Sequence, residues 1–126
     1  MRAAIPREHI DFLRGFYDRF ALGDYLFVHA GVRPGVAIEQ QHPRDLRWIR
    51  EEFLTSTADL GAVVVHGHTI SEQPELLPNR IGIDTGAYRT GRLTVLRLQE
   101  GEQQIMEIRA PATGDDAILA RPTDRD

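Results

Sequence analysis

Residues 63–70 read VVVHGHTI. Three valines form an apolar run of strand-forming residues, and two histidines separated by one glycine follow it. Alternate residues of a strand share a face, so this pattern predicts His66 and His68 side by side, with Gly67 leaving room opposite. Two imidazoles so placed suit a metal ion or an anion. A strand end whose histidines face water is the competing account, so the neighbouring stretches matter.

Upstream, YLFVHAG (25–31) has the same form, an apolar run that closes on His29 and a glycine. Downstream, RIGIDTG (80–86), RLTVLRLQ (92–99) and QQIMEIR (103–109) read as closing strands, the last two joined by turn residues. Two segments read as helices. In 6–24, Pro6 opens a helix along which Ile10, Leu13, Phe16, Tyr17 and Phe20 recur at helical spacing until Gly23 ends it. In RDLRWIREEFL (44–54), Leu46, Ile49 and Phe53 share one side, and Trp48 reads as core. The proline- and glycine-bearing stretches 32–43 and 71–79 read as loops, and 111–126 as a disordered tail. The fold class is therefore α/β (α+β). The apolar runs LFV and AVVV call for neighbours on both sides. The chain supplies few, which points to membership in a larger sheet or to self-association through exposed strands.

With 126 residues, one domain is the expectation, and the 41% hydrophobic content is enough for a core. A formal net charge of −4 offers no general grip on nucleic acid or anionic lipid. Cysteine is absent, which excludes disulfides and thiolate metal sites. The first residues lack the apolar core of a signal peptide and no stretch is long enough to span a membrane, so a soluble, cytoplasmic protein is expected.

Four stretches carry chemistry: VHAG (28–31), WIRE (48–51), HGHT (66–69) and IDTGAY (83–88). Three of them set a reactive side chain beside glycine at a strand end, where α/β proteins place binding groups. On the functional reading, His29 and His68 converge on one divalent ion as neutral imidazoles. Arg50 then presents a planar fork to a phosphate, and Tyr88 a phenolic hydroxyl to the same anion. The residues alone leave alternatives open: His66 as a chelating partner of His68 or as a lining residue, Asp84 as a ligand or a turn former, Arg50 as a solvated cation. His9 and His42 read as surface residues. A two-metal hydrolytic site needs bridging and oxygen ligands that no DxH, GDxxD or GNH cluster supplies here.

FVHAG, WIR, VVHGHT and IDTGAYRTGRLTVLRL, in that order, closely resemble the C-terminal half of bacterial serine/threonine phosphoprotein phosphatases of the calcineurin-like metallophosphoesterase superfamily. The resemblance runs from about Ile5 to about Leu98. It implies a partial calcineurin-like fold over 1–110, a mixed β-sheet sandwich flanked by helices, with the N-terminal half missing. It makes His29 and His68 ligands of the second metal, Arg50 a phosphate-gripping residue and Tyr88 an active-site tyrosine. His66 has no ligand role in the family pattern and, with Asp84, is expected beside the site. The implied cofactors are manganese, or else iron or zinc, and the implied substrate is a phosphoprotein or a small phosphoester. The family's GDxHG, GDxxDRG and GNHE elements are not in these residues, so the general acid and the remaining ligands are missing and the chain alone is expected to be inactive. Two alternatives stand beside this reading: an enzyme like the symmetrical diadenosine tetraphosphate hydrolases, which share the DTG…GxLTxLRL ending, and a non-catalytic module that binds or regulates a partner.

Overall fold

A computed structural model describes residues 5–110 and the backbone of 120–122. Helix α1 (Arg7–Arg14) is followed by β1 (Arg19–Leu22) and β2 (Tyr25–Val28). A short 3-10 turn (Ile38–Gln40), α2 (Pro43–Trp48) and α3 (Glu51–Leu54) lead to β3 (Val63–His66). Then come β4 (Glu75–Leu76), β5 (Arg80–Gly82), α4 (Ala87–Thr90), β6 (Arg92–Gln99), β7 (Glu102–Arg109) and β8 (Ala120–Pro122).

The chain is a mixed α+β structure built on a five-stranded sheet of order β1-β2-β3-β5-β4. The three inner strands are parallel, and β1 and β4 run antiparallel at the two edges. A second, antiparallel sheet has the order β6-β7-β8. The β8 strand pairs with Met106–Ile108 and lies inside the stretch expected to be a tail; residues 111–119 and 123–126 lie outside the described residues.

The register explains the core. Leu26 pairs with Val64 and faces α2 and α3, where Leu46, Ile49 and Phe53 are buried with Ala30, Val32 and Leu60. Phe27, Val65 and Ile81, one position further along each strand, form the opposite face. Arg80 is buried under the helices and holds β5 to α3: its guanidinium donates to the carbonyls of Leu54 and Ser56 and lies 5.8 Å from the Phe53 ring centroid. These carbonyls at the end of a helix have no intrahelical donor, so a buried guanidinium satisfies them through its Nη1 and Nη2 groups. Thr85 ties the second sheet to the first through bonds to the Arg92 carbonyl and, at 2.8 Å, to Thr94 Oγ1.

Three expectations are corrected. The first helix stops at Gly15 rather than Gly23, and Phe20 lies in β1, where it pairs with Phe27 across a hairpin with Gly23 and Asp24 at its turn. Gly23 adopts a left-handed φ of 56°, the conformation that a two-residue hairpin loop requires. The helical spacing of Phe16, Tyr17 and Phe20 was thus coincidental. No residue of α1 is buried, and Phe12, Leu13 and Phe16 stay exposed. Second, 44–54 is not one helix. Ile49 leaves the helical region at φ −60°, ψ 144°, which splits α2 from α3. Third, Trp48 is not core: it is 67% exposed. Among the described residues no helix is long and apolar enough to cross a membrane.

Candidate functional site

The parallel strands β2 and β3 end side by side, and the backbone bond from Gly67 N to the His29 carbonyl, 2.9 Å long, joins the loops that leave them. That neighbour relation brings the two loop histidines together. His29 Nε2 lies 3.2 Å from His68 Nδ1, with the ring centroids 4.9 Å apart.

The alternation expected for His66 and His68 does not hold. β3 ends at His66, and the Thr69 amide bonds back to the Gly67 carbonyl at 2.7 Å, closing a three-residue turn around His68. His68 sits at φ 65°, a left-handed conformation that costs a non-glycine residue about 1–2 kcal/mol. The turn aims His68 at His29, while His66 remains on the helix-facing side of the sheet. The His66 ring is buried edge-on to Phe53, 4.8 Å between centroids, and beside Gly82. The two histidines of the HxH pattern therefore point to different places, and they form no chelate.

Arg50, at the break between α2 and α3, is exposed and donates from Nη1 to Thr69 Oγ1 at 3.1 Å. This is its one polar side-chain contact among the described residues, which leaves most of the guanidinium fork free for an anion. Trp48 stands edge-on to His68 at 5.6 Å. Asp84 approaches the site through Gly67, while its Oδ1 accepts the Gly86 amide at 3.0 Å, the local bond typical of a turn former. Tyr88 is 84% exposed on α4 and lines neither of the two cavities described below, so the fold does not gather it with the histidines. His9 and His42 are both exposed; His42 caps α2 by accepting the Arg44 amide.

The electrostatics favour the neutral forms of His66 and His68. Burial lowers the His68 pKa below its usual value, and the neighbouring Arg50 guanidinium and His29 ring lower it further, against a smaller opposing pull from Asp84. Burial likewise lowers that of His66. A neutral imidazole is the form that ligates a metal. Two nitrogens bound about 2.1 Å from one ion at an angle near 100° would lie about 3.2 Å apart, so the His29–His68 separation fits a shared ion. His68 Nε2 is buried without a hydrogen-bond partner, so Nδ1 is the nitrogen available to such an ion or to His29. The fit is partial, however. Among the described residues, no group of three or more His, Cys, Asp or Glu is placed to hold a metal.

Two cavities meet at the strand end Phe27–His29. One, of about 380 Å³, runs between the sheets and is lined by all three of His29, His66 and His68 together with Asp84 and Thr94. The other, of about 980 Å³, is an apolar groove between α1, the β1–β2 hairpin and Trp48.

Among the residues brought to the site, Thr69 and the helix break at Ile49 were not legible as such in the sequence. No proline or glycine marks the break; only the W-x-R spacing singled the segment out. No protein-family model matches the chain, and no curated protein matches it significantly.

Proposed function

We propose that His29, His68 and Arg50 are part of a metal-dependent phosphoester-hydrolysing site of the serine/threonine protein phosphatase type, within a calcineurin-like arrangement of two sheets. The observation that carries the reading is the 3.2 Å approach of His29 Nε2 to His68 Nδ1, beside an arginine whose fork is largely free. In this reading the two imidazoles hold one edge of a divalent ion, manganese or else iron or zinc. When bound, that ion supplies the positive charge that polarises a phosphoryl group. Arg50 orients and neutralises the phosphoryl oxygens through paired N–H donors. Trp48 and Thr69 fix His68 and Arg50 in place, so that little ordering remains to be done when substrate arrives. The substrate is a phosphoprotein or a small phosphoester, and a diadenosine tetraphosphate hydrolase-like specificity is compatible with the same groups.

The second reading is a non-catalytic module that binds or regulates a partner. It is favoured by the want of a third ligand among the described residues. On either reading two imidazoles without carboxylates bind metal weakly, and the chain alone turns over little p-nitrophenyl phosphate. Nuclear magnetic resonance with added manganese tests the site itself. Paramagnetic broadening should be centred on His29 and His68 and be lost in His68→Ala. Broadening spread evenly over surface carboxylates, or unchanged in that variant, would refute the assignment.

A further inference from the structure

The large apolar groove reaches His29, one member of the histidine pair, and that juxtaposition bears on the substrate. It measures about 980 Å³, far more room than a phosphate occupies, and its walls carry Phe16, Tyr17, Phe20 and Phe27. Trp48 lines it too. The indole is held edge-on to His68 with the rings at 90°, and 67% of the residue is still open. Nothing in its own packing calls for so large an aromatic surface at that point. A flat, uncovered ring beside a phosphoryl-binding arginine is what stacking a second ring would require.

We infer that the site takes aromatic phosphate esters, with the phosphoryl group on Arg50 beside the histidines and the ring of the ester in the groove against Trp48. This rests on the phosphoester reading above and adds to it the class of the group that carries the phosphate. A planar ring recovers contact area on Trp48, Phe27 and Phe20 that an alkyl ester leaves wet. The selectivity therefore comes from the ring, and the anchoring from Arg50.

The chain contains one tryptophan, so fluorescence excited at wavelengths that tyrosine does not absorb reports on Trp48 alone. Titrations at a concentration where the chain is monomeric compare phenyl phosphate, methyl phosphate and phenol, without added metal. Phenyl phosphate should shift the emission and bind about tenfold more tightly than methyl phosphate. By equilibrium dialysis, Trp48→Leu should abolish the preference for phenyl phosphate over methyl phosphate. Arg50→Ala should weaken both esters. Equal binding of the two esters, both sensitive to Arg50→Ala, would overturn the aromatic selectivity and leave the phosphoester site standing. Binding of neither ester, or binding of both that Arg50→Ala leaves intact, would overturn the site as well. Phenol binding as tightly as phenyl phosphate would show a merely greasy groove and would also overturn the proposal.

Discussion

Gly31 is where the site loop and the core touch most closely. A Cβ built there would lie 2.3 Å from Phe53 Cδ1, 2.6 Å from Cγ and 2.7 Å from Cε1. The Phe53 ring has no room to yield, because it is fully buried, with His66 edge-on at 4.8 Å and the Arg80 guanidinium 5.8 Å from its centroid. The backbone just before it is also pinned, by Ala30 N to the Leu46 carbonyl at 2.8 Å and by Gly67 N to the His29 carbonyl at 2.9 Å. Gly31→Ala therefore overpacks a site that can relax only by moving the His29 loop or the ring. Overpacking costs about 1–3 kcal/mol, and three ring atoms inside 3.0 Å place this case near 3. With a urea slope of about 1–3 kcal/mol/M, the unfolding midpoint followed by circular dichroism should fall by about 1–3 M. Phe53→Leu alone should cost about 1–2 kcal/mol, since it keeps most of the volume. In that background Gly31→Ala should cost at least about 1 kcal/mol less than in the parent, a coupling expected only of groups in contact. A Gly31→Ala cost below about 0.5 kcal/mol, or an equal cost in both backgrounds, would refute the clash as the reason for glycine here.

The depressed histidine pKa values predict a pH dependence whose sign can be worked out. Unfolded imidazoles protonate near 6.5, but folded His66 and His68 do so only at lower pH, so below about 6.5 the unfolded chain binds more protons and stability falls with pH. Above that value their contribution is flat, and His66→Gln should reduce the slope of urea midpoint against pH between about 6.5 and 5; an unchanged slope would contradict the burial argument. A second decline, at lower pH, should come from Asp45, whose carboxyl is held below its usual range by the hydrogen-bonded Arg33 guanidinium. It should vanish in Asp45→Asn. At the sheet edge, β1 leaves one side of its backbone unpaired among the described residues, with Phe20 and Leu22 about three-fifths exposed. Sedimentation at rising concentration should reveal self-association that Leu22→Lys weakens, and a monomer throughout would exclude it.

Much of the fold is written locally. The runs YLFV and VVVH, and the alternating RLTVLRLQ, become β2, β3 and β6 because strand-forming side chains of the right period leave little choice of element. Histidines beside glycine at the ends of two such runs marked the candidate site, and His29 and His68 do lie together. Period alone, however, misled twice. Phe16, Tyr17 and Phe20 keep helical spacing across Gly15, yet the pairing of Phe20 with Phe27 in a hairpin competes successfully with one more turn of an unburied helix. His66 and His68 keep strand spacing, yet the strand ends between them.

What the sequence determined by itself was the strands β2, β3, β5, β6 and β7 and the reactive residue types at the ends of the inner ones, since both follow from short-range pattern, whereas β1, β4 and β8 were not legible in it. Tertiary structure decided which of those residues meet. The parallel pairing of β2 with β3 sets His29 beside the turn that presents His68, the burial of Phe53 draws His66 inward, and the break at Ile49 turns both Trp48 and Arg50 toward the site. Such choices depend on which face of an element is covered and by what, and that is a property of the packed chain rather than of any seven consecutive residues.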